Sequence, residues 1–168
     1  FDADGEGDHP LRLFYRMMDK NKDNFIVSEE YDILVNWLGA FKQENGVVAI
    51  RPPAEAGGKA EVLWRYHKGV PEIPSPILWD GKLYLVKNGG LLTCLDTKTG
   101  SLIFQQRIGA GGPYYASPIL NNGHIYFTSA RGVITVIEPG DSFKLVQQND
   151  LGERTMATPA IEGGQLFV

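Results

Sequence analysis

The sequence predicts a mainly β chain of four-stranded antiparallel units, with a small α-helical module at its N-terminal end. Three observations support this: a repeat with a step of about 42 residues, a turn-forming residue pair at the same point of each repeat, and an acidic loop between two amphipathic segments. Glycine is also frequent, with 20 of 168 residues, and only three glycines precede residue 46. Tight turns in the repeated part account for that excess.

Composition excludes several classes of protein. The chain is 43% hydrophobic and 21% charged, which indicates a folded chain. No apolar run approaches the roughly 18 residues that a membrane-spanning helix needs. The formal net charge of −4 argues against sequence-independent binding to nucleic acid. A single cysteine, Cys94, excludes an internal disulfide framework and a cysteine-rich zinc site.

An acidic loop at residues 19–30, DKNKDNFIVSEE, has the ligand spacing of a calcium site. Side-chain oxygens occupy loop positions 1, 3, 5 and 12, and position 7 offers its main-chain carbonyl. Calcium prefers six to eight oxygen ligands, and oxygens on alternate residues of a tight loop converge on one point. The predicted ligands of one calcium ion are Asp19, Asn21, Asp23, Phe25 and Glu30.

The segments on both sides of this loop favour helices, since apolar residues follow helical spacing over 11–18 and 31–38. The helix–loop–helix pattern resembles the EF-hand family. Two positions depart from that family. Asn24 stands where glycine is usual, and Val27 offers no side-chain oxygen, so we expect a weakened but functional site. A solvated acidic turn in a helical hairpin is the alternative interpretation.

The sequence repeat fills the rest of the chain. SPILWDGKLYLV begins at Ser75, SPILNNGHIYFT at Ser117, and TPAIEGGQLFV at Thr158. Pairs such as Asp80-Gly81 favour hairpin turns, because they accept positive φ at low cost. Each unit holds four short strands, and units of this length are typical of β-propeller blades. The predicted fold is therefore a partial β-propeller, whose strands we expect to be apolar on both faces because neighbouring blades cover them.

This pattern predicts two domains, a helical module at 1–45 and a propeller fragment at 46–168. The fragment divides into a half blade, two whole blades and a second half blade, at 46–67, 75–108, 115–150 and 156–168. We expect the chain to begin and end inside blades, because strands for only three blades are too few to close a ring. The helical module would then be an insertion in the middle hairpin loop of a blade. An N-terminal appendage beside a truncated blade is the alternative.

Residues 46–168 resemble the PQQ-like repeats of quinoprotein-type propellers. The resemblance rests on the SPI-strand pattern and on Thr99-Gly100 followed by Phe104, which looks like a blade-locking motif. It is closest to the bacterial PQQ-like repeat proteins, a family that includes the outer-membrane assembly lipoprotein. The docking residue of that family is often tryptophan. Trp64 keeps it, whereas Phe104 and Val146 align with it as weaker substitutes, so we expect a looser seam after the last whole blade.

The resemblance also implies an alternative function, that of a quinoprotein alcohol or sugar dehydrogenase. The vicinal cysteine pair of those enzymes is absent, because Cys94 is alone, and no tryptophan platform can be assigned. His9, His67 and His124 lack metal-ligand spacing. We therefore assign no catalytic and no cofactor-binding residue, and we do not expect pyrroloquinoline quinone (PQQ) as a cofactor.

The predicted function is that of a calcium-binding, non-catalytic propeller module that binds or scaffolds proteins within a larger bacterial protein. Propeller faces bind partners through variable loops on a rigid frame, so we expect protein partners on such a face. The resemblance implies an extracytoplasmic location, periplasmic or secreted, where millimolar calcium would suit a weakened site. Tyr114 and Tyr115 lie on a connection between blades, where core packing is a more expected role than ligand binding.

Overall fold

The computed structural model describes residues 19, 21–23, 25, 27–30, 32 and 45–168. The chain divides into two compact units, Phe1–Glu44 and Asn45–Val168. In the first unit, the helical residues among those described are Ser28–Glu30 and Asp32. The helices of the described part are too short and too polar to cross a membrane. The second unit consists of short antiparallel strands joined by turns and connections.

The strands of the second unit form four antiparallel sheets in chain order. The first, two-stranded sheet contains β1 (Val47–Arg51) and β2 (Glu61–Tyr66). The first whole sheet contains β3 (Ile77–Trp79), β4 (Lys82–Lys87), β5 (Leu91–Asp96) and β6 (Leu102–Arg107). The second whole sheet contains β7 (Ile119–Asn121), β8 (His124–Thr128), β9 (Val133–Glu138) and β10 (Lys144–Asp150). The last, two-stranded sheet contains β11 (Ala160–Glu162) and β12 (Gln165–Phe167).

The mainly β fold of four-stranded antiparallel units is therefore confirmed. Strands follow one another in each sheet, so neighbouring strands are connected by hairpins or short loops. The tight turns are those that the repeat predicts, because Asp80 (φ 44°) and Asn122 (φ 48°) adopt the left-handed conformation ahead of their glycines. Side chains that tolerate this conformation thus form the turn between the first and second strands of both whole sheets.

The hydrophobic core lies between the two whole sheets. Its buried members come from β4, β5, β8, β9 and the connection after β6, and they are Tyr84, Val86, Leu92, Cys94, Ile108, Tyr114, Ile125, Phe127 and Ile137. The middle strands are covered on both faces, as predicted. The last strand of the second whole sheet, β10, is exposed along its whole length. The expectation of strands apolar on both faces is therefore wrong for the edge strands.

A bulge occurs at the same place in the last strand of three sheets, and it fixes how the repeats align. The residues that the bulges leave unpaired are Leu63, Ile103 and Val146. The residues that follow them and face the neighbouring strand are Trp64, Phe104 and Gln147. The predicted alignment of Val146 with Trp64 is therefore wrong by one residue. The counterpart of Trp64 in the second whole sheet is Gln147, because each of these residues directly follows the unpaired bulge residue of its strand.

Trp64 connects the first two-stranded sheet to the sheet that follows. Its indole Nε1 donates a hydrogen bond of 2.9 Å to the carbonyl of Thr97. The indole ring covers Gly100 so closely that a Cβ there would lie 2.6 Å from Cδ2 of the ring. Gly100 also has a φ of 71°, which few other residues adopt. The absence of a side chain at Gly100 thus leaves the space in which the tryptophan ring packs.

The turn that presents Gly100 is held by Asp96. Its Oδ1 accepts hydrogen bonds from the amide and the hydroxyl of Thr99, each at 2.8 Å, and from the amide of Lys98 at 3.0 Å. The hydroxyl and amide of Thr99 are the main reason that the pKa of Asp96 lies below its ordinary value. The charged form of Asp96 is the one that orders this turn.

The two whole sheets are joined in a different way. Phe104, at the docking position, lies edge-on to Tyr84 with 6.4 Å between ring centroids. The hydroxyl of Tyr84 accepts a hydrogen bond from the amide of Gly140 at 3.0 Å and donates to its carbonyl at 3.3 Å. Lys82 forms an ion pair of 3.1 Å with Asp141 beside it. Tyr84 therefore supplies the polar contact to the next sheet that the indole of Trp64 supplies one repeat earlier.

A chain of hydrogen bonds also connects the starts of successive repeats. The amide of Ser75 donates to Oγ of Ser117 at 2.9 Å. The amide of Ser117 donates in turn to Oγ1 of Thr158 at 3.0 Å. These residues occupy the same position in three repeats, so each repeat supplies the acceptor for the repeat before it.

One buried hydroxyl in the described part has no hydrogen-bond partner, and its removal should stabilise the protein. Among the described residues, Thr128 Oγ1 is the buried side-chain oxygen or nitrogen that has no hydrogen-bond partner. Its counterpart in the preceding sheet is Val86, which is fully buried. We expect Thr128→Val to raise the free energy of unfolding by about 1 kcal/mol in urea denaturation, since an unpaired buried hydroxyl costs about 1–3 kcal/mol.

The neighbouring Ser129 is the control for this substitution. It is also fully buried, but its Oγ accepts a hydrogen bond of 3.2 Å from the amide of Val133. Ser129→Ala should therefore lower the free energy of unfolding. A loss of stability in Thr128→Val as well would show that the Thr128 hydroxyl has a bound water as its partner.

Candidate functional site

The predicted calcium loop is the candidate metal site, and it lies in the first unit. Asp19 and Glu30, its first and last predicted ligands, are both buried with 7% of their surface exposed. Asn21, Asp23 and Phe25 are exposed. Carboxylates are seldom buried without groups that stabilise their charge. The burial of both end ligands therefore makes the interior of this loop the candidate position for a metal ion.

Main-chain amides of alternate loop residues donate to the predicted ligand oxygens. The amide of Asp23 donates to Asp19 Oδ1 at 3.1 Å and to Asn21 Oδ1 at 3.0 Å. The amide of Phe25 donates to Asp23 Oδ1 at 2.8 Å. Each of these bonds turns a side-chain oxygen toward the backbone of the following residues. The predicted ligands thus fold over one loop instead of extending into solvent.

Glu30 closes the loop from its far end. Its Oε1 accepts a hydrogen bond from the amide of Asn21 at 3.4 Å, and its Oε2 accepts one from the amide of Val27 at 3.3 Å. Both carboxylate oxygens therefore face the loop, as a bidentate calcium ligand at position 12 requires. Ser28, Glu29 and Glu30 are helical, so the carboxylate stands at the start of the segment that follows the loop.

The chemistry of this donor set fits calcium. It combines three carboxylates, one amide oxygen and one main-chain carbonyl, all of them hard oxygen ligands. Within the described residues, no three His, Cys, Asp or Glu side chains are grouped closely enough to hold a metal ion. Asn21 and Phe25 fall outside those residue types. Calcium at this loop therefore remains a prediction.

Several parts of the predicted EF-hand lie outside the described residues. These are the helix over 11–18, almost all of the helix over 31–38, and Asn24 at position 6. Among the described loop residues, Lys22 has a left-handed conformation, with a φ of 61°. Lys22 stands at position 4 of the loop, and its conformation turns the chain between the ligands Asn21 and Asp23.

The other sequence candidates in the second unit have structural roles. Tyr114 is buried, its hydroxyl donates to the carbonyl of Ala110 at 2.7 Å, and its amide donates to Asn88 Oδ1 at 2.7 Å. Burial raises the pKa of Tyr114 above its ordinary value. Tyr115 is half-buried. Tyr114 therefore packs in the core, which is the more expected of its two roles.

Cys94 and the histidines do not form a reactive site in the described part. Cys94 is fully buried, and burial raises the pKa of its thiol to about 11, so the thiol is protonated at neutral pH. His67 is exposed, and His124 is half-buried with its Nδ1 3.0 Å from the carbonyl of Asn122. His9 lies outside the described residues. Trp79, at the first turn, is 40% exposed.

The sequence analysis missed a polar contact that recurs within both whole sheets, between the third and the fourth strand. Gln105 Nε2 donates to Thr93 Oγ1 at 2.9 Å, and Gln148 Nε2 donates to Thr135 Oγ1 at 3.0 Å. Gln148 also donates to the carbonyl of Ile108, in the connection that precedes its own sheet. The signal was a threonine in the third strand and a glutamine in the fourth strand of both whole blades. The threonine of the first pair also donates to the carbonyl of Gly69, so both pairs contact the connection that precedes their own sheet.

Comparison with known families identifies the second unit. The family described as outer membrane protein assembly factor BamB matches residues 44–168. None of the curated proteins is a match. Among solved structures, BamB from Moraxella catarrhalis is similar, with 18% sequence identity and a TM-score of 0.57. The similarity covers 74% of this chain and 37% of that BamB chain, so this chain spans well under half of its relative's length.

Two dehydrogenase structures have weaker similarity. A europium-containing methanol dehydrogenase is 13% identical with a TM-score of 0.49, covering 63% of this chain and 21% of its own. The quinohemoprotein alcohol dehydrogenase ADHIIG from Pseudomonas putida HK5 is 18% identical with a TM-score of 0.44. The similarity covers 52% of this chain and 16% of that chain. At these identities the similarity to BamB concerns the fold. The antiparallel four-stranded sheets are accordingly consistent with a partial β-propeller.

Proposed function

The chain belongs to the family of the outer membrane protein assembly factor BamB, and from this we propose that residues 45–168 form a non-catalytic propeller module that binds proteins. The match over residues 44–168 is the observation that carries the proposal. An assembly factor acts by contacting other proteins, and loops on a rigid β frame suit such contacts. The same family supports an extracytoplasmic location in a bacterium.

The loop at 19–30 binds one calcium ion in this proposal. Support comes from the burial of Asp19 and Glu30 and from the amides that orient the ligand oxygens toward the loop interior. A bound calcium ion supplies positive charge that offsets the three carboxylates. Asp19 and Glu30 would hold the two ends of the loop together around it. Calcium would thereby order the helical module, as a structural element rather than a sensor.

Calcium titration of the protein by calorimetry tests the ligand assignment. We expect the wild type to bind one calcium ion, and Glu30→Gln to bind at least about tenfold more weakly, because it removes one charge and the bidentate ligand. Glu29→Gln is the matched control, since Glu29 is the exposed neighbour and is no predicted ligand. Equal binding by the wild type and Glu30→Gln, or absence of binding in both, would show that the assignment is wrong.

A quinoprotein-type dehydrogenase is the alternative function for this fold. The distinguishing experiment supplies the protein with PQQ, calcium and an alcohol, and follows reduction of an electron-accepting dye. We expect no turnover above that of the free quinone. Turnover that depends on the protein would replace the binding-module proposal with the dehydrogenase.

A further inference from the structure

Charge is distributed unequally between the two ends of the sheets in the second unit. The turn end carries the hairpins between the first and second strands and between the third and fourth strands. The connection end carries the segments that lead from one sheet to the next. The ion pairs of the described residues lie at the turn end, and they are Arg51–Glu61, Lys82–Asp141 and Lys144–Glu138. None of them involves a cation of the connection end.

Three cations of the connection end lie at the junction of the two whole sheets. Lys87 and Arg107 stand on either side of Leu91, in one register row of β4, β5 and β6. Arg131 comes from the turn between β8 and β9 in the next sheet. Arg107 and Arg131 are exposed, and Lys87 is half-buried. Both arginine side chains are therefore open to a partner.

The two arginines lie against a pair of glycines that are hydrogen-bonded to each other. The amide of Gly89 donates to the carbonyl of Gly112 at 2.8 Å. Arg107 Nη1 donates to the carbonyl of Gly89 at 2.9 Å. A Cβ at Gly112 would lie 2.9 Å from Nε of Arg131. Guanidinium groups from two different sheets thus flank a surface that carries no side chain, where another main chain can approach closely.

No carboxylate of the described residues forms an ion pair with this cluster. The acidic residues at the connection end are Glu72, Asp150 and Glu153, and all three are exposed. Like charges that are held together raise the local potential, which attracts an anion. Arg107 commits one N–H group to Gly89, and the other N–H groups of the two planar guanidinium groups match the oxygens of carboxylates. The cluster therefore has the chemistry of a carboxylate-binding site.

We propose that Arg107, Arg131 and Lys87 bind an acidic segment of a partner protein, whose aspartate or glutamate carboxylates pair with the two guanidinium groups. The main chain of that segment would lie over Gly89 and Gly112. This assignment rests on the proposed protein-binding function and names the surface and the partner chemistry for it. Arginine clusters recognise acidic motifs in this way, and the charged contacts determine which partner is accepted.

An acidic protein segment is a better occupant than a membrane or a nucleic acid. The cationic cluster is small, and the chain as a whole has a formal net charge of −4. An extended anionic surface would attract the cluster but repel most of the remaining protein. A short acidic segment contacts the cluster alone, so it gains the attraction without that repulsion.

Fluorescence anisotropy at low salt, with a labelled peptide of alternating glutamate and glycine, tests this assignment. The wild type should bind this peptide at least about tenfold more tightly than a peptide with glutamine in place of glutamate. Arg107→Gln combined with Arg131→Gln should weaken binding of the glutamate peptide at least about tenfold, because both guanidinium groups are lost. Arg51→Gln combined with Lys144→Gln is the matched control, which removes the same charge from the turn end and should bind like the wild type.

Circular dichroism verifies that both double variants are folded, and Arg131→Gln alone should show part of the same loss of binding. A wild type that binds neither peptide, equal binding of the two peptides, or equal losses in the two double variants would overturn the proposal. Binding to phosphatidylglycerol vesicles that depends on the two arginines, without peptide binding, would overturn it in favour of a membrane surface.

The dye assay with PQQ tests the proposed function separately from the arginine cluster. Turnover that depends on the protein would replace the binding module with a dehydrogenase, whatever the peptide does. Absence of both turnover and peptide binding would overturn only the assignment of the acidic partner to Arg107 and Arg131. The two failures are therefore distinguishable.

Discussion

Gly132→Ala is expected to lower the free energy of unfolding by about 3–5 kcal/mol, enough to unfold the second whole sheet under mild conditions. Gly132 has a φ of 85°, and a Cβ at this position would overlap the main-chain oxygen of Glu153. Its amide donates to the carbonyl of Ser129 at 2.9 Å, and its carbonyl accepts from Leu151 at 3.0 Å. These hydrogen bonds hold Gly132 in place, so the added Cβ would have to displace the main chain at Glu153 or strain the bonds.

Gly123→Ala separates the two causes of that loss. Gly123 lies in the same sheet with a φ of 75°, but a Cβ there would meet no atom within 4 Å. We expect it to cost only the conformational penalty of about 1–2 kcal/mol. Urea denaturation followed by circular dichroism measures both variants. Equal losses for Gly132→Ala and Gly123→Ala would show that the main-chain overlap is relieved at no cost.

Trp64→Ala should lower the free energy of unfolding by about 3 kcal/mol, because it removes both the packing on Gly100 and the hydrogen bond to Thr97. Trp64→Phe should cost about 1–2 kcal/mol, since the ring stays and the carbonyl of Thr97 loses its donor. The difference between the two variants measures the packing contribution of the ring.

Trp79→Ala is the matched control for this seam, because Trp79 is the same residue type in an exposed position at the end of β3. We expect it to change the free energy of unfolding by no more than about 0.5 kcal/mol. Circular dichroism is the suitable probe, since tryptophan fluorescence would change with the substitution itself. If Trp64→Ala lowers the free energy of unfolding as little as Trp79→Ala does, the indole of Trp64 does not stabilise the contact between the two sheets.

The repeat predicted the sheets because its signals are local. Turn pairs such as Asp80-Gly81 and the apolar strands between them each depend on a few neighbouring residues. The bulge is different, because it is a property of two paired strands. The extra residue in β10, Val146, has no partner in β9, and no local pattern marks it. Val146 was assigned to the docking position, whereas the residue that follows the bulge and occupies that position is Gln147.

The calcium site remains a prediction from ligand spacing. That spacing selected Asp19 and Glu30 as the end ligands, and both are buried in the structure. The amides that orient their oxygens, and the left-handed conformation of Lys22, depend on how the loop closes in three dimensions. The contact of Tyr84 with Gly140 was missed for the same reason, since it joins residues 56 positions apart.

The hydrogen bonds that run from Ser75 to Ser117 and from Ser117 to Thr158 give the arc of blades a direction. Each hydroxyl serves the amide of the preceding repeat, so the loss of a hydroxyl is felt one repeat earlier than the residue that carries it. Ser117→Ala would release the amide of Ser75 while leaving its own amide bound to Thr158. The hydrogen bond that is lost therefore belongs to the preceding repeat. The stability of one repeat thus depends partly on a side chain of the repeat that follows it.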